Sequence, residues 1–195
     1  MQIVEYLLAM APYMAAALPF VLLFRLVARR RMRRRGLCES PLREVGVVLF
    51  LLFLVGLISQ TVLPQIVIGA DGTLELVRQR PGCHINLIPF RQFADVMRAA
   101  DPMYAAINIA GNIVMFMPIG FCVPLLWREF PLWRTALVGA GFSLGVEVLQ
   151  YPQGRSSDID DLILNTLGVM AGYGLWRLFV YLFPKAAAHF RVRTA

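Results

Sequence analysis

Charged residues are scarce in this sequence. Asp, Glu, Lys and Arg together make up only 16% of its 195 residues, whereas hydrophobic residues make up 58%. Soluble globular domains carry about 25% charged residues, so the composition excludes an ordinary soluble domain. The mean hydropathy of +0.65 supports the same conclusion. The chain is therefore predicted to be embedded in a lipid bilayer.

Histidine and cysteine are also rare, with two and three residues respectively. Their spacing does not resemble a zinc site, and the Cys83-His84 pair supplies too few ligands to hold a metal ion. No Ser-His or Cys-His pair typical of nucleophilic catalysis is recognisable. The topology that the apolar runs predict places Cys38, Cys83 and Cys122 in three separate regions, which excludes a disulfide within one chain.

Long apolar runs are what the sequence has in abundance. A helix needs about 20 apolar residues to cross the hydrocarbon core of a bilayer. Five runs of this kind lie at about residues 3–27, 45–63, 105–127, 132–150 and 162–183. The predicted fold is an all-α, polytopic bundle of about five transmembrane helices. Its predicted parts are two N-terminal helices with a basic cytoplasmic loop (1–63), an extracytoplasmic loop (64–104), a three-helix core (105–183) and a cytoplasmic tail (184–195).

Arginine is concentrated after the first apolar run, where six arginines lie within residues 29–35. Basic residues are retained on the cytoplasmic side of short loops, so the N-terminus is predicted to be outside and the C-terminus cytoplasmic. A net charge of +7 suggests nucleic acid binding in a soluble protein. Here the arginines flank a membrane span, so the predicted partners are membrane lipids, in particular anionic headgroups, and not nucleic acid.

The predicted outer loop has two parts. Asp71-Gly72 is a turn signal, and the alternating residues 73–77 that follow it predict a short hairpin. Residues 84–97 are apolar with a few polar positions, as in a segment that lies in the membrane interface. This segment is either a lid over a site or a surface anchor, and the sequence does not decide between them.

Polar residues gather at the predicted outer ends of the last three helices. The third helix carries two asparagines on one face, the fourth ends in a stripe of polar residues, and the fifth begins with three aspartates. The group comprises Asn108, Asn112, Glu147, Gln150, Asp158, Asp160, Asp161 and Asn165, with Arg155 in the connecting loop. The topology brings them to one outer face, and no comparable cluster is expected at the inner end.

Structural roles compete with functional ones for these residues. Ser157 or Asp158 can cap the fifth helix, and aspartates in its first turn complement the helix dipole. The two asparagines can join helices by hydrogen bonds, and Glu147 can pair with Arg155. Glu147 is predicted to lie below the interface, where an uncompensated carboxylate costs roughly 2.5–3.5 kcal/mol, so a functional role is favoured there.

Two glycine patterns predict close helix contacts. Gly141-xxx-Gly145 and Gly168-xxx-Gly172 each place two small residues on one helix face, which lets backbones approach.

Three blocks of sequence resemble the VanZ-like family of bacterial membrane proteins. They are residues 86–90 (NLIPF), 108–121 (NIAGNIVMFMPIGF) and the segment from Ser143 to Gly168, in which Glu-x-x-Gln precedes Arg-Ser-Ser-Asp-Ile-Asp-Asp and Asn-Thr-Leu-Gly. The resemblance covers roughly residues 84–174, and residues 1–63 resemble the family only in hydropathy. It implies a cell-envelope role in the bacterial plasma membrane and, as for the member that names the family, lower susceptibility to teicoplanin.

Three functions are compatible with the outer polar group. The first is an enzyme acting on a lipid-linked or amphiphilic envelope substrate, with Glu147, Asp158 or Asp161 as catalytic carboxylate and with carboxylates available to hold a divalent cation. The predicted substrate-binding residues are Asn86, Asn108, Asn112, Gln150, Arg155, Asp160 and Asn165. The second is a protein that binds or shields a lipid-linked precursor or a lipoglycopeptide without turnover. A transporter ranks last, because no polar stripe reaches the inner half. The sequence identifies neither a metal nor a cofactor.

Overall fold

A computed structural model describes residues 2–62, 65–68, 74–77, 85–91, 102–127, 130–150 and 157–194. The helices in these ranges are α1 (Gln2–Arg34), α2 (Pro41–Val62), α3 (Pro102–Leu126), α4 (Leu132–Gln150), α5 (Ile159–Leu182) and α6 (Pro184–Ala188). The short strands are β1 (Leu37–Cys38), β2 (Gln65–Ile68), β3 (Leu74–Val77), β4 (Ile85–Asn86), β5 (Ser157–Asp158) and β6 (Arg193–Thr194).

Five of the helices are long and apolar enough to cross a membrane. The spanning segments are Ala9–Arg34, Pro41–Val62, Ile109–Leu126, Leu132–Gln150 and Ile159–Leu182. They agree with the five predicted helices, with differences of a few residues at most ends, and the first span continues to Arg34, beyond its predicted end. The prediction of a helical multi-pass membrane protein is therefore confirmed.

The helices α3 and α5 form the most extensive interhelical contact of the bundle. Glycines make this contact close: a Cβ atom on Gly168 would collide with the Ile113 carbonyl oxygen, and one on Gly172 would collide with that of Met117. The prediction for the glycines of α5 is thus correct, because no larger residue fits between these backbones.

The corresponding prediction for α4 is wrong. Gly141 and Gly145 are exposed, and a Cβ on either would meet no atom within 4 Å. The small residue of α4 that does face a neighbour is Gly139, where a Cβ would collide with the side chain of Val169 in α5. Spacing alone identified a pair of small residues without showing which side of the helix faces the bundle.

Apolar side chains lie both inside and outside the bundle. The core is formed by α2, α3 and α5 and contains Val47, Phe50, Leu57, Phe116, Ile119, Val123, Leu126 and Val169. Many other large apolar residues are exposed, among them Phe20 on α1 and Leu137 on α4. An apolar exterior is what a bilayer solvates, because the hydrocarbon chains take the place of water.

The described short strands form one local hairpin and two pairs that join parts of the chain distant in sequence. The pair β2 and β3 is antiparallel, with Gln65 opposite Val77, which confirms the predicted hairpin; its turn residues 69–73 lie outside the described part. The pair β4 and β5 is parallel, with Asn86 opposite Asp158. The pair β1 and β6 is antiparallel and attaches the chain end to the connection between α1 and α2.

The helices alternate in direction, so each end of the bundle brings together the starts of some helices and the ends of others. The side chain of Arg43, at the start of α2, reaches the carbonyl of Leu126 at the end of α3. The side chain of Gln150, at the end of α4, reaches the carbonyl of Thr61 at the end of α2. The arginine end is defined here by Arg25, Arg29, Glu39, Arg43 and Glu44, and the carboxylate end by Glu147, Asp158, Asp160 and Asp161.

Candidate functional site

Asp158 organises the start of α5. It is the N-cap residue, with an extended backbone, and its Oδ1 atom accepts a hydrogen bond of 3.0 Å from the backbone N–H of Asp160. This confirms the capping role predicted for Asp158, since an N-cap carboxylate satisfies one of the unpaired N–H groups of the first turn. The same Oδ1 also accepts a 3.0 Å hydrogen bond from the Asn86 side-chain amide. Asp158 therefore links the helix start to β4.

Residues 85–91 are attached to the start of α5 by three kinds of contact. The β4–β5 pairing aligns Asn86 with Asp158, and their side chains are hydrogen-bonded. The backbone N–H of Phe90 donates to Asp160 Oδ1 at 2.5 Å. Phe90 has a positive φ of 65°, a conformation that a bulky residue rarely adopts unless other contacts hold it. We call residues 85–91 the latched loop.

Glu147 lies within the last turn of α4 and is only 6% exposed. Its Oε2 atom accepts a 3.3 Å hydrogen bond from the backbone N–H of Asp158. The predicted position of Glu147 below the membrane interface stays a prediction. This contact places the Glu147 carboxylate next to the start of α5, as the predicted site requires.

Two asparagines connect α5 to its neighbours. The Asn112 amide donates a 2.8 Å hydrogen bond to Asp161 Oδ1, which joins α3 to α5. The Asn165 amide donates a 2.8 Å hydrogen bond to the Ser143 hydroxyl, which joins α4 to α5. The Asn112 contact is the kind of interhelical hydrogen bond considered from the sequence, whereas the Asn165 contact was not considered there. Ser143 completes the polar group but was not among the predicted binding residues.

Asn165 keeps one unused hydrogen-bonding atom. Its side chain is buried, and its Oδ1 atom accepts no hydrogen bond from any residue of the described ranges. A buried acceptor without a partner has a free-energy cost of about 1–3 kcal/mol. Such an atom is suited to accept a hydrogen bond from a ligand or an internal water.

The remaining predicted site residues divide into two groups. Gln150 is buried, but its amide donates a 2.7 Å hydrogen bond to the Thr61 carbonyl and so joins α4 to α2. Arg155 and the side chain of Asn108 lie outside the described residues, so their predicted roles stay predictions.

The arrangement is rich in hydrogen-bond acceptors. Glu147, Asp158, Asp160 and Asp161 each accept at least one hydrogen bond from a backbone N–H group or a side-chain amide. In the part of the chain that is described, no three His, Cys, Asp or Glu side chains converge as the ligands of a metal ion would. The carboxylates can accept further hydrogen bonds and can take part in proton transfer.

The sequence analysis missed a second polar cluster, at the arginine end. Arg25 donates to Glu39 Oε2 at 2.9 Å and to Glu44 Oε2 at 2.7 Å. Arg43 pairs with Glu39 and also donates to the Leu126 carbonyl at 2.8 and 3.1 Å. The available signal was Arg25, a charge within the first apolar run. Such a charge needs a partner inside a membrane protein.

The residues that form the carboxylate end lie within a stretch that matches a known family. The sequence model of the VanZ/LLP1 family matches residues 47–180, more than half of the 195-residue chain. The match begins within α2 and so corrects the expectation that residues 1–63 share only hydropathy with this family. No curated protein and no solved structure matches the chain. The chain belongs to the VanZ/LLP1 family.

Proposed function

We propose that this protein lies in the bacterial plasma membrane and binds the polar head of an amphiphilic envelope molecule at its carboxylate end, on the outer side. The ligand class is a lipid-linked precursor or a lipoglycopeptide such as teicoplanin. One observation carries the proposal. The latched loop exposes Leu87, Ile88 and Phe90, each at least 61% accessible, beside the buried carboxylate of Asp160 in α5. An amphiphile needs such a combination, because its tail enters lipid while its head meets hydrogen-bonding groups.

The outward orientation is inferred from charge. Six arginines lie within residues 29–35, at the end of α1 opposite to the carboxylates. The positive-inside rule assigns that end to the cytoplasm, which directs the carboxylate end outward.

Cysteine labelling tests the orientation. Cys38 is exposed at the arginine end, and replacing Cys83 and Cys122 by serine leaves it as the single thiol. We expect a membrane-impermeant maleimide to label Cys38 in lysed cells but not in intact cells. Labelling in intact cells would contradict the outward assignment of the carboxylate end.

The carboxylate end offers specific contacts to a polar head. Carboxylate oxygens form charge-assisted hydrogen bonds with the amide, hydroxyl and ammonium groups that envelope precursors and lipoglycopeptides carry. The open acceptor of Asn165 provides a further contact deeper between α4 and α5. Arg155, next to β5 in sequence, is proposed to bind a phosphate or a carboxylate of the ligand.

Turnover of the ligand is the second candidate function. The position of the Glu147 carboxylate beside the start of α5 favours it, because a carboxylate within reach of a bound substrate can act as a general acid or base. In this alternative Glu147 exchanges a proton with the substrate, and Asp158 or Asp161 orients the reacting group.

Teicoplanin susceptibility of a sensitive host tests the proposed site. We expect the wild-type protein to protect, and Glu147→Gln, Asp161→Asn and Arg155→Ala to protect less at equal membrane abundance. Lys185→Gln is the matched control, because Lys185 is an exposed charge in α6, at the opposite end. If wild type protects and all variants do so equally, the carboxylate end does not carry this function.

A product assay separates binding from turnover. Purified protein is incubated with a lipid-linked peptidoglycan precursor, and the lipid fraction is analysed by mass spectrometry. Binding alone leaves the precursor mass unchanged, and Glu147→Gln then weakens retention of the precursor gradually. Turnover yields a new mass that Glu147→Gln abolishes.

A further inference from the structure

A groove runs between α1 and α2 at the arginine end. Its volume is about 340 Å³, and its wall is formed mainly by Leu22, Leu26, Val45 and Leu49, with Arg29 and Glu44 at its polar side. We propose that this groove binds one anionic phospholipid of the bilayer, with an acyl chain along the leucines and the phosphate at Arg29. The inference is independent of the function proposed for the carboxylate end.

The apolar wall of the groove faces the surroundings of the bundle. Leu22, Leu26, Val45 and Leu49 are between 48% and 59% exposed. Only 11% of the spanning segment of α1 is buried inside the protein, because α1 packs chiefly against α2. In a membrane these side chains contact hydrocarbon, so an acyl chain fills the groove without displacing water from polar groups.

The charges around the groove do not balance. Three arginines, Arg25, Arg29 and Arg43, face two glutamates, Glu39 and Glu44. Arg25 is engaged by both glutamates, and Arg43 by Glu39 and the Leu126 carbonyl. The one positive charge in excess therefore falls on Arg29.

Arg29 is the member of this cluster that can reach a phosphate. Its Nε atom lies 3.8 Å from Glu44 Oε2, beyond hydrogen-bonding distance, and its side chain is 37% exposed. The side chain of Arg25, by comparison, is 8% exposed. A guanidinium binds phosphate by paired hydrogen bonds, and the neighbouring arginines of residues 30–35 add attraction for an anionic headgroup.

The arrangement predicts selectivity for net negative charge. A zwitterionic headgroup brings a cation that the arginine-rich surface repels, so its binding gains less from Arg29 than the binding of an anionic headgroup does. An inorganic phosphate ion lacks the chain that fills the apolar groove. Both the headgroup charge and the acyl chain should therefore contribute to the affinity.

Lipid binding to the full-length protein in mild detergent tests the proposal. Native mass spectrometry would follow titrations with phosphatidylglycerol and with phosphatidylcholine of the same chain length. We expect a higher affinity for phosphatidylglycerol, an about fivefold loss of that affinity in Arg29→Gln, and a smaller loss in Arg29→Lys, which keeps the charge but not the paired hydrogen bonds. Filling the groove with Leu49→Trp should weaken binding of both lipids while the helical circular dichroism stays unchanged.

The matched control is Arg34→Gln. Arg34 is an exposed arginine of the same helix that does not line the groove, and we expect its replacement to change the affinity less than twofold. Equal losses in Arg29→Gln and Arg34→Gln would overturn the proposal in favour of diffuse attraction to the arginine run. Equal affinity of the wild type for the two lipids, or full competition by inorganic phosphate, would overturn it as well.

Discussion

Buried charge is handled differently at the two ends of this bundle. At the arginine end, guanidinium groups pair with carboxylates within a stretch of about twenty residues that includes Arg25, Glu39, Arg43 and Glu44. At the carboxylate end, the acidic side chains accept hydrogen bonds from backbone N–H groups and amides of three separate segments, namely the latched loop, α3 and β5. The structure of the first end depends on charge pairing, whereas that of the second depends on the positions of segments distant in sequence.

The largest expected effect is at the arginine end. Glu39→Gln removes the carboxylate shared by Arg25 and Arg43, and a buried charge left without its partner should lower the free energy of unfolding by about 3–5 kcal/mol. Unfolding in detergent, followed by circular dichroism, measures the loss. The double variant Glu39→Gln/Arg43→Met should recover part of it, because it removes Arg43, whose only carboxylate partner among the described residues is Glu39, whereas Arg25 keeps Glu44. A single variant as stable as wild type would show that charge pairing does not maintain this end.

At the carboxylate end the expected effect is smaller and local. Asp160→Ala removes the acceptor of the Phe90 N–H group, so the free energy of unfolding should fall by about 1–3 kcal/mol. The latched loop should then exchange its amide hydrogens faster, which hydrogen–deuterium exchange mass spectrometry detects. Asp160→Asn keeps an acceptor oxygen and serves as control. If Asp160→Ala leaves the amide exchange of the latched loop unchanged, the hydrogen bond from Phe90 to Asp160 does not hold this loop to α5.

The N-cap of α5 should contribute less again. Asp158→Ala leaves the Asp160 N–H group without its side-chain acceptor, and loss of a cap costs about 1 kcal/mol. Asp158→Ser retains a capping oxygen and should lose less stability, as the midpoint of thermal unfolding would show. If serine and alanine are equally destabilising, the contact with Asn86 outweighs the cap.

The smallest expected effect is that of Arg29→Gln on stability. The Arg29–Glu44 pair is long and partly exposed, so its loss should change the free energy of unfolding by less than about 0.5 kcal/mol. The same unfolding assay as for Glu39→Gln measures it. A loss as large as that of Glu39→Gln would show that Arg29 is a structural charge. The lipid affinity of Arg29→Lys, which keeps the charge, would then test the proposed lipid contact.

The sequence predicted the helices of this protein well and its contacts less well. The apolar runs give the five spans because lipid demands length and hydrophobicity of every crossing segment. Capping by Asp158 was also predictable, since it depends on residues within one turn. Which side of α4 faces the bundle was not, as the exposed Gly141 and Gly145 show. A weak amphipathic pattern, usual when both lipid and core are apolar, leaves that choice open.

For the two polar clusters as well, the sequence predicted one part of the arrangement and the structure was needed for the rest. The sequence by itself determined that carboxylates and asparagines of α3, α4 and α5 meet at one end, because short connections and alternating directions leave no other arrangement. Only the tertiary structure decided that Asp160 accepts a hydrogen bond from the Phe90 N–H group and that Arg25 lies between Glu39 and Glu44. Such contacts join residues up to 70 positions apart, and packing in three dimensions, not local propensity, fixes their geometry.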